Sequence, residues 1–149
     1  MRVLIVDNDL EFAGALEVEL RHQGLEHIVV EQSGPAALAR IVPSKNEFDC
    51  VFCASRLSEM PGGEFVSIVR AINLAGGPTI IMTVSAVDRG TILAALETGA
   101  DDYITKPLDR IELWARLTSI RKLMAAFKRA EQAEIALGSI VVPQGAYRH

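Results

Sequence analysis

The chain has little of what reactive sulfur, metal clusters or electrostatic capture of nucleic acid would require. Of its 149 residues only two are cysteine, three histidine and one tryptophan, so each can be followed singly. Cys50 and Cys53 form a C-x-x-C, but that odd spacing within a strand sends the two side chains to opposite faces. They cannot share a metal, and no second Cys/His cluster exists to complete a zinc site. Two buried, inert thiols are expected, in keeping with a reducing compartment. The formal net charge of −4 provides no basic footprint for a phosphate backbone. No apolar run approaches the roughly 20 residues of a membrane span. The run after Met1 stops at Asp7, too short for a secretory signal. Cytoplasmic residence is therefore expected, with no membrane and no direct nucleic-acid contact by this segment.

What is present suits one compact domain. Half the residues are hydrophobic and 23% are charged, enough apolar material for a real core at this length. Apolar runs alternate with helical patterns. Strands are expected at about 3–6, 28–30, 50–53, 79–83 and 103–105. Between them the spacing predicts helices from Asp9 to about His22, from Ser33-Gly34-Pro35, over about 64–74, over about 87–98, and from Asp109 onward. Asp9 and Ser33 are read as N-caps, Asp109-x-x-Glu112 as a cap pair, and Gly99 as a left-handed helix stop. Strands alternating with helices in this way predict an α/β fold: a doubly wound, five-stranded parallel sheet with helices on both faces. Such sheets place their sites at the carboxyl ends of the strands. Asp7, Asn8 and Asp9, then Ala54, Thr83 and Lys106 fall there, drawn from a hundred positions to one rim.

These residues carry a resemblance. Gly99-Ala100-Asp101-Asp102-Tyr103-Ile104-Thr105-Lys106-Pro107 resembles the G-A-D-D-Y-x-x-K-P stretch of response-regulator receiver domains almost letter for letter. Val3-Leu4-Ile5-Val6-Asp7-Asn8-Asp9 and Pro78-Thr79-Ile80-Ile81-Met82-Thr83 are similar to the same family, and the likeness covers roughly residues 1–122. It implies a CheY-like strand order of 2-1-3-4-5 and a part in two-component phosphorelay signalling. In that family two acids after the first strand and an acceptor aspartate ending the third bind Mg²⁺. A Ser/Thr and a Lys contact the transferred phosphoryl group, whose charge needs neutralising and positioning. The resemblance assigns Asp7 to the first acid, Thr83 to the switch hydroxyl, Tyr103 to the switch aromatic and Lys106 to the lysine. It also implies a cis bond to Pro107.

The departures fall where the chemistry would be. Asn8 stands for the second acid, Ala54 for the acceptor aspartate, and Val84 for a small residue that admits the phosphodonor. With two of three expected carboxylates gone, no cofactor is expected. Asp7 and Asp9 are the only remaining metal candidates, and Mg²⁺ is not expected to bind strongly. Lys106 should then pair with Asp7, Asp9 or both. Arg56 is expected to face solvent. Gly62-Gly63-Glu64-Phe65 superficially resembles a diguanylate cyclase signature but is a residue short and should open a helix.

In the last helix Leu113, Leu117, Ile120, Met124 and Phe127 recur at heptad-like spacing. The first three are expected to cover the sheet, whereas Met124 and Phe127 would be exposed and would meet a second copy or a protein partner. Residues 1–122 thus form a receiver-like domain, and 123–149 extend the last helix into a tail, linker or output segment. Residues 135–143 read as a strand-like segment. Three readings follow. One is a non-enzymatic receiver-like module that dimerises or binds a partner through its fourth helix, fifth strand and fifth helix without phosphorylation. A second is the receiver part of a DNA-binding regulator with its acceptor replaced, which would reach DNA through a further output domain. The third is a small doubly wound enzyme or nucleotide-binding protein, disfavoured because Asp7-Asn8-Asp9 stands where a Gly-rich phosphate loop belongs.

Overall fold

Alternation of β-branched runs with capped amphipathic segments produces ten elements in strict β/α order. The computed structural model describes residues 1–44, 47–73, 76–85 and 89–137. In chain order they are β1 (Arg2–Val6), α1 (Leu10–His22), β2 (His27–Glu31), α2 (Gly34–Ile41) and β3 (Cys50–Ala54). There follow α3 (Gly62–Ile72), β4 (Thr79–Ser85), α4 (Arg89–Glu97), β5 (Asp102–Lys106) and α5 (Arg110–Ala136). The strands form one parallel sheet in the order β2-β1-β3-β4-β5. Fold class and strand order agree with the sequence reading.

The alternation of side chains along each strand divides the core in two. Val3, Ile5, Cys50, Phe52, Ile81 and Ile104 face α1 and α5, where Leu16, Leu20, Leu113 and Leu117 pack on them. Leu4, Val6, Val51, Cys53, Ile80, Met82 and Val84 face α2, α3 and α4, meeting Ala37, Phe65, Val66 and Ala95. Burying side chains of this size stabilises by about 1.5–3 kcal/mol each, so the two faces, not the helix propensities, hold the layers together. Cys50 and Cys53 accordingly lie on opposite sides of the sheet, both buried and free.

The helix starts follow local chemistry. The Asp9 carboxylate accepts from the Phe12 N–H at 3.1 Å, and Ser33 Oγ accepts from the Ala36 N–H at 3.2 Å, with Pro35 in the first turn. Asp109 accepts from the N–H groups of Ile111 and Glu112. Glu112 does not complete a capping box. Its carboxylate instead accepts from the Thr105 N–H at 2.8 Å and from Thr105 Oγ1 at 3.2 Å, tying α5 to the edge of β5.

Element ends differ from the sequence reading by a few residues. The strands run one or two residues longer, because ladder pairing continues past the apolar run. Helix α3 starts at Gly62, not near residue 64, because Gly62 packs against the end of β3. A Cβ there would lie 2.2 Å from the Ala54 carbonyl oxygen and 2.9 Å from Ser55 Cα, a place only glycine fits. The expected ends of α3 at residue 74 and of α4 at residue 87 fall outside the described residues. So does most of the strand-like segment 135–143, although Ile135 and Ala136 are the last turn of α5.

Candidate functional site

Strand register sets the site. Val6 pairs with Cys53 and Ala54 with Thr83, so Asp7, Ala54 and Thr83 stand side by side at the ends of β1, β3 and β4. All three continue the face of the sheet covered by α1 and α5, and all are buried. The Asp7 N–H donates to the Glu31 carbonyl at 3.0 Å, which carries the ladder one residue past β1. The Asp9 N–H donates to Asp7 Oδ1 at 2.9 Å, turning the chain into α1.

Lys106 ends β5 and reaches across this row. Its Nζ lies 2.9 Å from Asp7 Oδ2, 4.0 Å from Asp9 Oδ2 and 4.6 Å from the centre of the Phe12 ring. The pairing expected from the sequence is therefore present, with Asp7 as the principal partner. The Lys106–Pro107 peptide is cis, as the resemblance implies. Asp7 is 1% exposed and Lys106 26%, so the pair is held largely away from water. Its Coulombic attraction mainly offsets the cost of burying Asp7.

The hydrogen bonding around Ala54 is incomplete. Asp7 Oδ2 receives the ammonium as an ionic contact without an aligned hydrogen bond, and Thr83 Oγ1 has no hydrogen-bond partner among the described residues. Buried polar atoms are normally paired. The two residues that carry them stand on either side of Ala54 in the strand register. Mg²⁺, which the family resemblance implies, does not suit the donor set. Asp7 is engaged by an ammonium, Asp9 caps α1, and position 54 offers no oxygen beyond the backbone. No group of three or more His, Cys, Asp or Glu residues among those described could hold a metal.

The other singled-out residues take different places. Asn8 is exposed at the rim. Val84, grouped from the sequence with the pocket residues, is completely buried against α2, α3 and α4, because alternation turns it to the opposite face from Thr83. Arg56 is exposed in a turn where it pairs with Pro61. Tyr103 is half-buried, and the Arg116 guanidinium lies 5.5 Å from its ring centre. Arg116 Nε also donates to the Tyr103 carbonyl at 3.3 Å and lies 3.4 Å from an Asp102 oxygen. On α5, Leu113, Leu117 and Ile120 are buried, as expected. Met124 is not free: it packs, half-buried, on the α1/α5 core, because the helix remains against the sheet one turn longer than the sequence suggested. Phe127 is 68% exposed.

One anchoring residue escaped the sequence reading. Arg70, in the last turn of α3, donates to the Gly99 carbonyl at 2.9 Å, the Pro78 carbonyl at 2.8 Å and Asp101 Oδ2 at 2.6 Å. Asp101 Oδ2 also accepts from the Ile80 N–H. Gly99 has φ +117°, and a side chain there would press on Arg70. The Gly99-Ala100-Asp101 run is thus a clamp on the rim opposite the site, and the only cue in the sequence is an arginine in a last helical turn.

Burial pushes the pKa of both thiols well above the ordinary value of 9.0, reinforced at Cys50 by Asp101 and Asp49 and at Cys53 by Asp7. Neither thiol is activated.

Comparison with known proteins bears on the whole. Residues 3–118 match the model of the response regulator receiver domain family. The chain is 38% identical over 116 residues to the transcriptional regulatory protein ZraR of Escherichia coli K12, covering 77% of this chain and 25% of that protein. It is 31% identical over 144 residues to the DNA-binding response regulator MtrA of Mycobacterium tuberculosis, covering 95% of this chain and 59% of that one. The chain therefore spans well under two thirds of these relatives. A two-component response regulator from Clostridium difficile superposes with a TM-score of 0.73 at 27% identity, covering 83% of this chain and 98% of that one.

Proposed function

The chain belongs to the response regulator receiver domain family, and on that premise we propose that it is a receiver-like module of a two-component system that works without phosphorylation. The observation carrying this reading is Ala54, held between Asp7 and Thr83 where the family's acceptor would stand, with the Lys106 ammonium 2.9 Å from Asp7. Phosphoryl transfer to this rim would need an acceptor oxygen and a cation to neutralise the incoming charge. Ala54 supplies no acceptor. The Lys106 ammonium is already paired with Asp7, and the donor set argues against Mg²⁺. Ser55 and Asp49 are poor substitutes, one following the row and the other at the far end of β3.

The module then acts by binding, either to a second copy or to a protein partner, through α4, β5 and α5. Exposed Leu93 and Leu96 on α4 support that face, together with the Tyr103–Arg116 stack beside it. Residues 1–122 would carry this role and 123–149 would lead to a tail or an output segment. The relatives' names support a second reading, a receiver that controls a DNA-binding output. With a net charge of −4, this segment alone is expected to retain no DNA in filter binding.

The deciding experiment is incubation with acetyl phosphate and Mg²⁺ followed by intact-mass measurement. The expected result is an unchanged mass, with Ala54→Asp as the comparison that restores an acceptor. A base-labile phosphoryl adduct on the unaltered chain overturns the proposal.

A further inference from the structure

Between the last turns of α1 and the first turns of α5 the surface opens into a cavity of about 470 Å³. Glu19, His22 and Gln23 line it from α1, and Arg110, Ile111 and Trp114 from α5. Spacings of three and four put each trio on one side of its helix, so the two helices supply the walls. None of these residues belongs to the rim of Asp7, Ala54, Thr83 and Lys106. The volume is within the range of small-molecule sites.

Two features of the lining are unexplained by the packing of the domain. Trp114 is the one tryptophan of the chain, yet it is 62% exposed, with Ile111 beside it at 79%. Together they offer a flat apolar surface on which a ring can stack. The second feature is Gln23. Its N–H donates to the Glu19 and Leu20 carbonyls, and its own carbonyl accepts from Arg121, so its backbone is held. Its side-chain Oε1 is buried without a hydrogen-bond partner among the described residues. Buried acceptors are normally paired, and with nothing holding Oε1, rotation of the side chain presents it to a donor in the cavity.

The charges limit what that donor can belong to. Arg110 Nε donates to Glu19 Oε2 at 3.0 Å, and His22 Nδ1 lies 4.0 Å from Glu19 Oε1. Glu19 therefore draws both basic groups to itself. Asp109 adds a second carboxylate to the lining, and the end of α1 brings the negative end of its dipole. A phosphate or carboxylate gains little here.

We propose that this cavity binds a planar, aminated heteroaromatic molecule that carries no negative charge. The ring stacks on Trp114 beside Ile111, and the amine donates to Gln23 Oε1. Nucleobases and their nucleosides share this chemistry. An enclosed acceptor within a cavity favours a small ligand over a broad protein contact. The site stands whether or not the rim takes a phosphoryl group.

The sole tryptophan makes the site its own reporter. The full chain is titrated with adenine, adenosine and cytidine, reading Trp114 emission and, in parallel, heat by calorimetry. Saturable quenching is expected, and adenine against adenosine tells the bare base from the nucleoside. Adenosine triphosphate should bind about fivefold more weakly than adenosine. Caffeine, a stacking ring without an N–H donor, should bind at least about threefold more weakly. By calorimetry the dissociation constant for adenosine should rise at least about tenfold in Trp114→Leu and about threefold in Gln23→Leu. It should be unchanged in Leu93→Glu, on the other face of the sheet. Both lining positions can be replaced without opening the core, and far-UV circular dichroism verifies the fold. No response to adenine, adenosine or cytidine overturns the site. Undiminished binding in Trp114→Leu overturns its location. Equal affinity for caffeine, unchanged by Gln23→Leu, overturns the role of Gln23, and triphosphate binding as tight as adenosine overturns the charge selection. Emission that shifts with protein concentration alone, without response to the probes, replaces the ligand site by a contact between copies.

Discussion

At the scale of single residues, the rim around Ala54 is held by packing on one side and by charge on the other. Gly62 carries the packing, since any Cβ would strike the Ala54 carbonyl. Gly62→Ala should therefore cost about 1–3 kcal/mol or more in urea unfolding, through displacement of the α3 start. The charge is Asp7. Removing its partner by Lys106→Met strands a buried carboxylate, with an expected loss of about 3 kcal/mol. The pair Asp7→Asn with Lys106→Met should lose less than the sum of the singles, which a double-mutant cycle will read as coupling. The two cysteines should resist thiol reagents in the folded protein and react only on unfolding. Their raised pKa also has a sign. The unfolded chain releases thiol protons first, so their contribution to stability is complete below pH 9 and is lost as pH rises past it. Equilibrium unfolding at pH 8 and pH 10 tests that direction.

At the scale of elements, the order and faces of strands and helices were legible because period-two runs and capped period-3.6 runs alternate without conflict. The rim residues were legible for the same reason: topology fixes where strand ends meet. What was not legible came from side chains acting at a distance. Nothing local in Glu112 says that it will bond Thr105 instead of closing a capping box, and nothing local in Arg70 says that it will bind two loops. Met124 was misplaced because a stripe indicates direction, not the depth of cover above it. The Arg70 clamp leads to a prediction at this scale. Arg70→Ala should loosen the α4–β5 connection, seen as faster hydrogen exchange at the Ile80 and Asp101 amides, while the Asp7–Lys106 rim stays protected.

At the scale of the whole molecule, the two-sided core and the end of α5 past Met124 are separable. A chain ending after Lys122 keeps Leu113, Leu117 and Ile120 and should fold, with a modest loss of stability because Met124 is removed. Thermal unfolding and sedimentation of that shorter chain beside the full one measure the two properties independently. Leu117→Ala, by contrast, opens the α1/α5 core and should cost about 2–5 kcal/mol in the same unfolding assay.

The close seating of Gly62 on the Ala54 carbonyl bears on how such a domain can change over generations. Backbone packing and strand register hold position 54 in place, and neither needs the identity of its side chain. A lineage can exchange the side chain there without unmaking the frame that displays it. It can exchange that side chain again by the same route, because the frame persists under selection for stability alone.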